Sequence, residues 1–168
     1  MHISKTSFYT TGLVTGVLAS SLFTGGNLVI SFISTPSILA YGTPQSQLQQ
    51  WATQYDMAKR LFGPLSVFSG IGFGIAAYFA PSQIIRRHMI FNALITASAI
   101  PFTVIFMAPM IRHLKEVKRR GSESEAGLVE TRRMLKTWVR RSTMRSMIVA
   151  LGFLNGMREI TDCIGFHL

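Results

Sequence analysis

Two aromatic residues and a carboxylate lie close together in the first polar stretch of the sequence. Trp51 and Tyr55 are four residues apart, so a helix places both rings on one face, and Asp56 follows directly. A phenol and a carboxylate can exchange protons, and an indole ring offers a planar apolar surface. The same residue types also form the aromatic belt of an ordinary membrane protein, and spacing alone favours that simpler interpretation.

A second stripe of polar and aromatic residues combines Trp138, Ser142 and Arg145 at helical spacing. An arginine adds a permanent positive charge beside the indole and the hydroxyl. Thr103 adds a further hydroxyl from a long apolar run. Asn27 lies in another apolar run, where an amide commonly hydrogen-bonds to a neighbouring helix.

Long apolar runs indicate that membrane-spanning helices position these side chains. The 168-residue chain is 48% hydrophobic and has a formal net charge of +10, with a mean hydropathy of +0.34. A span needs roughly 20 residues, and four windows meet that length: residues 11–33, 61–79, 89–110 and 142–166. Arg158, Glu159 and Asp162 interrupt the last window. The sequence predicts an all-α fold, a four-helix transmembrane bundle in a single membrane domain over residues 1–168.

The third window contains a predicted break in its helix. Residues 89–110 carry no formal charge, but Pro101 lies at their centre and Pro109 near their end. A proline inside a helix removes one backbone hydrogen bond and costs about 3 kcal/mol in water. In lipid such a break persists where a hydroxyl or a neighbouring helix satisfies the freed backbone groups. Thr103 can fill that role or face a ligand, so the segment predicts both a span and the wall of a pocket.

Charge asymmetry between the loops predicts the orientation of the bundle. Ten Lys and Arg residues lie between the third and fourth windows, and Lys59 and Arg60 precede the second. The opposite side has three basic residues, or four if Arg158 is included. The positive-inside rule therefore places loops one and three in the cytosol and both termini in the lumen. The third loop is expected to form an amphipathic extension against anionic headgroups, with a flexible tip at residues 121–125.

Several other classes of protein fit the sequence poorly. Cys163 is the one cysteine, so the chain by itself forms no disulfide. His88 and His113 bracket the third window, about 37 Å apart along a continuous helix, and cannot share a metal ion. Phosphate-binding glycine loops and the H-E-x-x-H motif do not occur. The basic loop lacks the interleaved aromatics of nucleic-acid binding. We expect no metal site and no nucleic-acid partner.

Glycines at four-residue spacing predict where helices one, two and four approach each other closely. The pairs are Gly12 and Gly16, Gly70 and Gly74, and Gly152 and Gly156.

The three chemically interesting stretches together resemble one protein family. Residues 50–55 (Gln-Trp-Ala-Thr-Gln-Tyr) followed by Pro64 look like the first-loop signature of fungal anthrone oxygenases. Residues 100–103 (Ile-Pro-Phe-Thr) and 107–109 (Met-Ala-Pro) resemble the third span of that family. Residues 135–138 (Leu-Lys-Thr-Trp) with Arg145 resemble the opening of its last span. These matches occur in the family's order over most of the chain.

The resemblance implies a small four-helix membrane protein that oxidises an anthrone to an anthraquinone. O2 is the co-substrate in that family, and no metal or flavin cofactor is known. The catalytic candidates that it implies are Arg145 for the oxyanion, Tyr55 or Asp56 for proton relay, and Thr103 as donor to a ring hydroxyl. The substrate-binding candidates are Trp51, Trp138, Ser142 and Asn27.

Two positions depart from the family pattern and indicate a divergent member. Met110 and Ile111 stand where the family usually has Thr-Asn, and Ser142 stands where it usually has Asn or His. Both changes remove polar groups from the candidate site. A different substrate, or loss of oxygenase activity, is therefore an open alternative.

The sequence thus favours a membrane-bound oxygenase of fungal polyketide metabolism, acting on a small hydrophobic aromatic substrate and in contact with membrane lipid. We expect it in the endoplasmic reticulum or another endomembrane, with a homo-oligomer as an open possibility. Two alternatives remain. One is a cyclase or isomerase that uses the same pocket without O2, and the other is a non-catalytic membrane scaffold for pathway enzymes.

Overall fold

Four helical columns form the structure, a computed structural model that describes residues 5–120 and 125–165. The first column comprises α1 (Lys5–Val29), a first π-helical segment (Ile30–Ser34) and α2 (Thr35–Ala40), and the second is α3 (Pro44–Tyr78). The third comprises α4 (Gln83–Ala97), α5 (Ala99–Phe102), a second π-helical segment (Thr103–Met107) and α6 (Ala108–Arg120), and the fourth is α7 (Glu125–Gly165). The predicted all-α four-helix architecture is confirmed, and no strand occurs among the described residues.

Three of the columns are long and apolar enough to cross a membrane: Lys5–Ala40, Pro44–Tyr78 and Gln83–Arg119. Large apolar side chains are exposed on the outside of each column, which suits lipid better than water. On α7 they form a stripe at helical spacing: Met144, Met147, Leu151 and Leu154. The fourth crossing and the boundaries of all four windows stay predictions. Residue 166, where the last window ends, lies outside the described residues.

The third loop is largely helical, as expected for the predicted extension, and the first loop is largely helical as well. The N-terminal half of α3 packs with α6 and the first half of α7 around a core of buried side chains. Its largest members are Leu48, Trp51, Leu114, Leu135 and Trp138. Residues 121–124 of the predicted flexible tip lie outside the described part of the chain. Since this extension continues the bundle helices, the aromatic residues of α3 and α7 are held on rigid elements.

A tight turn joins α2 to α3 and sets the direction of the second column. Gly42 has a φ of 82°, a left-handed conformation that only glycine adopts readily. Thr43 then caps α3 by accepting a hydrogen bond from the Ser46 backbone N–H at 3.3 Å, and Pro44 occupies the first helical turn.

Prolines account for both π-helical segments. Ile30–Ser34 is followed by Thr35 and Pro36, and Thr103–Met107 by Ala108 and Pro109. A proline ring in a helix collides with the carbonyl four residues earlier, which in both cases lies inside the widened turn. Widening the turn by one residue therefore relieves the collision. Such π-helical turns occur frequently at functional sites.

The predicted break near Pro101 is present, and hydroxyl groups bond backbone carbonyls on both sides of it. Here α4 ends at Ala97 and α5 begins at Ala99. From α3, the Ser66 hydroxyl donates to the Thr96 carbonyl at 2.9 Å. The Thr103 hydroxyl donates to the Ala99 carbonyl at 2.7 Å. These side-chain bonds add hydrogen bonding to the backbone around the break.

Glycine packing between α1 and α3 differs in one respect from the sequence prediction. Gly12 and Gly16 lie at the contact, but their partner on α3 is Gly72. A Cβ atom added to Gly72 would lie 2.6 Å from the backbone nitrogen of Gly16. Gly70 instead faces α4, and Gly74 has open space around it. The spacing identified a glycine-rich helix, whereas the helix rotation decides which glycine makes the contact.

Candidate active site

An elongated and mostly apolar cavity lies where the four columns meet beside the second π-helical segment. Its volume is about 220 Å³, just below the ~300–1,000 Å³ of typical small-molecule pockets. Along α3 its wall runs from Tyr55 to Ser66, which is about 16 Å of helix. Five of the eight predicted site residues line it: Arg145, Thr103, Tyr55, Trp138 and Asn27. These dimensions suit a planar polycyclic molecule.

Arg145 is a cation held in this cavity by neutral groups only. Its Nη1 donates to Thr103 Oγ1 and its Nη2 to Asn27 Oδ1, both at 2.7 Å. Its guanidinium carbon lies 5.4 Å from the centre of the Phe23 ring. Its Nε is buried and has no partner among the described residues, and no Asp or Glu occurs among the residues found to line the cavity. Since buried charges are normally paired, the arrangement suits an anionic ligand.

Backbone contacts orient both partners of Arg145. The Thr103 hydroxyl donates its proton to the Ala99 carbonyl, so its lone pairs are free to accept from the guanidinium. Asn27 Nδ2 donates to the Phe23 carbonyl at 2.8 Å, which directs Oδ1 toward Arg145. Three columns thus converge on one charged group and fix its geometry before a substrate binds.

One face of α3 supplies the opposite wall and includes residues that the sequence analysis did not select. Tyr55, Lys59, Phe62 and Ser66 all line the cavity. Lys59 is exposed, which places it at the cavity mouth. The sequence could have identified these residues, because they recur at helical spacing after Tyr55 and so share its helix face. With Lys59 and Arg145, the cavity has a cation at its mouth and a second one in its wall.

Trp138, Trp51 and Ser142 occupy different positions relative to the cavity. Trp138 lines it and is 4% exposed. Trp51 is fully buried behind the wall, stacked on Tyr55 and edge-on to Trp138, with ring centres 5.7 Å apart in both pairs. Ser142 is also fully buried and does not line the cavity. Trp51 therefore supports the two aromatic side chains that do face the cavity.

Asp56 lies outside the cavity, contrary to its predicted place in the site. Its carboxylate accepts a hydrogen bond from Lys115 Nζ at 2.6 Å, and the two side chains are 52% and 41% exposed. Each helical residue turns the side chain by about 100°. Asp56 is directed away from the wall because Tyr55, its neighbour, faces it.

A second and more open groove adjoins the cavity. It has a volume of about 770 Å³ and shares Ile30, Ala58 and Phe62 with the cavity lining. Its remaining lining is rich in amide and hydroxyl side chains: Ser46, Gln49, Gln50, Thr53 and Gln54. Among the described residues no group of three His, Cys, Asp or Glu side chains is placed to hold a metal ion. The expected lack of a cofactor stays a prediction.

Comparison with known proteins identifies the family. The family model for anthrone oxygenase matches residues 51–155. The chain belongs to the anthrone oxygenase family. It is 30% identical to an anthrone oxygenase of Aspergillus fumigatus, over 87% of this chain and 91% of that protein. It is 26% identical to one of Cryptosporiopsis sp., over 88% and 85% of the two chains, and 27% identical to one of Paecilomyces divaricatus, over 92% and 95%. No solved structure matches the chain.

These identities confirm a divergent member and an anthrone oxygenase-like enzyme. The matched range includes Tyr55, Thr103, Trp138 and Arg145. Asn27 lies before it, so its link with the site comes from its contact with Arg145.

Proposed function

We propose that this member of the anthrone oxygenase family is a membrane-bound enzyme that oxidises an anthrone-like aromatic polyketide to a quinone with O2. We also propose that it does so without a metal or organic cofactor. The buried Arg145 guanidinium, held by neutral acceptors in an apolar slot, is the observation that carries this proposal. The names of the three relatives support the choice of substrate.

The proposed reaction converts a CH₂ group between two aryl rings into a carbonyl group. The methylene first loses a proton, and the remaining electron pair is delocalised onto the oxygen atom of the ring system. The resulting carbanion gives electrons to O2 and forms a carbon–oxygen bond, which yields a peroxide. After protonation, the second hydrogen leaves as a proton while the O–O bond breaks. The products are the quinone carbonyl and one water molecule.

The cavity residues supply the electrostatic part of this reaction. Arg145 stabilises the negative charge that develops on the substrate oxygen in the first step, and an apolar surrounding strengthens that interaction. Thr103 holds the guanidinium, and because its proton goes to the Ala99 carbonyl, it is assigned as an acceptor from a ring hydroxyl and not as the donor that the sequence analysis expected. Trp138 covers a face of the planar substrate. Tyr55 is neutral near pH 7, as tyrosine ordinarily is, and is assigned as a hydrogen-bond donor.

The exposed apolar surface and the loop charges support the proposed membrane placement of the site. The three apolar columns and the outward stripe of α7 support a bundle embedded in lipid. The excess of basic residues in loops one and three supports their cytosolic orientation. The cavity then opens toward the cytosolic boundary of an endomembrane, where a hydrophobic polyketide from a soluble synthase partitions.

Oxygen consumption with a defined substrate tests the proposal. Membranes containing the protein are incubated with a hydroxylated anthrone, and O2 uptake and quinone absorbance are recorded together. We expect equal amounts of O2 consumed and quinone formed, above the rate in membranes without the protein. Chelator-treated and flavin-free protein should retain this rate. Substrate loss without O2 uptake would overturn the oxygenase proposal in favour of a cyclase or isomerase, and absence of turnover would favour a scaffold.

Replacing Asp56 by Asn tests its exclusion from the site. The Asp56–Lys115 pair is half exposed, and such pairs contribute only ~0–1 kcal/mol to stability. We expect the rate of quinone formation by Asp56→Asn to stay within about twofold of wild type. Tyr55→Phe is the comparison on the adjacent residue, and it should lower kcat by about tenfold because a donor facing the cavity is lost. A larger loss for Asp56→Asn than for Tyr55→Phe would contradict the placement.

A further inference from the structure

Buried hydroxyl and indole groups without hydrogen-bond partners occur together beside the cavity. The hydroxyls of Ser31, Thr35 and Ser142 and the indole N–H groups of Trp51 and Trp138 lack a partner among the described residues. Ser31 is 1% exposed, Thr35, Ser142 and Trp51 are 0% exposed, and Trp138 is 4% exposed. Most buried polar groups in native proteins bond to protein or to ordered water. We call these five side chains the polar strip.

Helix register places the members of the polar strip opposite one another. Antiparallel α1 and α7 touch where Gly156 meets Val17 and again where Arg145 bonds Asn27. Extended by one helical turn, the same register would bring Ser142 opposite Ser31, and one turn further it would bring Trp138 opposite Thr35. The first π-helical segment, which contains Ser31, packs against α7, and Trp51 packs edge-on against Trp138. The strip therefore begins beside Arg145 and runs toward the helical extension.

The strip hydroxyls differ from most other buried hydroxyls of the bundle, although the Thr24 hydroxyl also lacks a partner among the described residues. Serine and threonine in helices usually donate to the carbonyl four residues earlier. Ser20 bonds the Gly16 carbonyl at 2.7 Å, Thr96 the Asn92 carbonyl at 2.8 Å and Ser146 the Ser142 carbonyl at 2.9 Å. Ser31, Thr35 and Ser142 make no such bond. Their hydroxyls therefore remain available to hydrogen-bond a ligand.

Water is the ligand that fits these groups. Buried water molecules typically make about three hydrogen bonds to groups that the protein leaves unsatisfied. The strip offers hydroxyls, which donate and accept, and indole N–H groups, which donate, but it offers no charge that would hold an ion. The nearest charged group is Arg145, whose Nε is also unpartnered.

We propose that the polar strip binds a file of water molecules that carries protons between the Arg145 cavity and the helical extension. The transport role rests on the proposed function, whereas the water-binding role does not. No carboxylate or imidazole occurs among the residues found to line the cavity, so the proton released from the substrate methylene requires another acceptor. Water in the strip relays it to solvent at the helical extension and also provides an exit for the water formed in the last step.

Radiolytic hydroxyl-radical labelling in the detergent-solubilised full chain tests the water file, because it labels side chains next to bound water. Trp51 is the reporter, since it is fully buried and does not line the cavity. We expect labelling of Trp51 in the wild type and its loss in a Ser31→Ala/Ser142→Ala double variant. Ser146→Ala is the matched control, because the Ser146 hydroxyl already bonds within its helix, and it should leave the labelling unchanged. If the double variant does not fold, each single variant is expected to reduce the labelling.

Turnover of the same variants tests the proton route. We expect kcat to fall by about tenfold or more in the double variant, with KM unchanged and the solvent deuterium isotope effect increased. Ser146→Ala should leave all three quantities at their wild-type values. An unlabelled wild-type Trp51, or labelling that persists in the double variant, would overturn the water file whatever the activity of the protein. Loss of labelling with unchanged kcat would overturn the proton route, while failure of the wild type to consume O2 would count against the proposed function alone.

Discussion

Replacing Arg145 by Ala is expected to lower quinone formation by at least about 100-fold, because removal of one oxyanion-stabilising donor commonly costs 10²–10³ in kcat. The effect should fall on kcat more than on KM, since the negative charge develops as the reaction proceeds. Arg145→Lys keeps the charge but cannot reach Thr103 and Asn27 with two separate nitrogens. It should retain intermediate activity. Steady-state rates with an anthrone substrate measure both variants.

Arg140→Ala is the matched control for this experiment. Arg140 lies on the same helix but is exposed and does not line the cavity, so its rate should stay within about twofold of wild type. Size-exclusion profiles and helical circular dichroism show whether each variant is folded. Added guanidinium should restore part of the Arg145→Ala rate, because the truncated side chain leaves room for it. A folded Arg145→Ala protein with wild-type turnover would remove Arg145 from the mechanism.

Replacing Gly72 by Ala should cause the largest loss of stability of any single methyl addition in the bundle core. The added Cβ atom would lie 2.6 Å from the backbone nitrogen of Gly16 and 2.9 Å from the carbonyl oxygen of Gly12. Backbone atoms cannot rotate away as a flexible side chain can, so α1 and α3 must separate. Overpacking of this kind costs about 3 kcal/mol, which corresponds to a decrease of roughly 5–10 °C in the unfolding midpoint.

Gly74→Ala, on the same helix, separates the packing effect from helix propensity. A Cβ atom at Gly74 meets nothing within 4 Å, and alanine favours a helix interior by roughly 0.5–1 kcal/mol over glycine. Its midpoint should therefore equal or slightly exceed that of the wild type. Thermal unfolding in one detergent, followed by circular dichroism, compares the two variants. Equal midpoints for Gly72→Ala and Gly74→Ala would show that α1 and α3 do not meet at these glycines.

The burial of Arg145 also bears on the proposed mechanism. An unpaired guanidinium in an apolar slot is costly to bury, and its neutral partners Thr103 and Asn27 offset only part of that cost. In the proposed reaction, the anionic intermediate would supply the missing opposite charge. The site would then stabilise the ionised form of a carbon acid more than its neutral form, which is the property that the proposed first step requires.

Much of the fold follows from the sequence, because the apolar runs and the breaks at Pro101 and Pro109 are local properties of the chain. Helical spacing relates Trp138 to Arg145 and Trp51 to Tyr55 without knowledge of any other helix. Three short segments in order also identify the family. Local spacing, however, predicts neither the rotation of a helix about its own axis nor its distance from a neighbouring helix.

Tertiary structure decides which of these residues act together. It brings Asn27 to Arg145 across 118 positions of sequence, turns Asp56 outward to Lys115, and places Trp51 behind the wall that Tyr55 and Trp138 form. The sequence by itself determined the helices, the break in the third span and the residue types of the site. Only the packing of four columns decided which side chains share the cavity, since that depends on contacts between residues far apart in the chain.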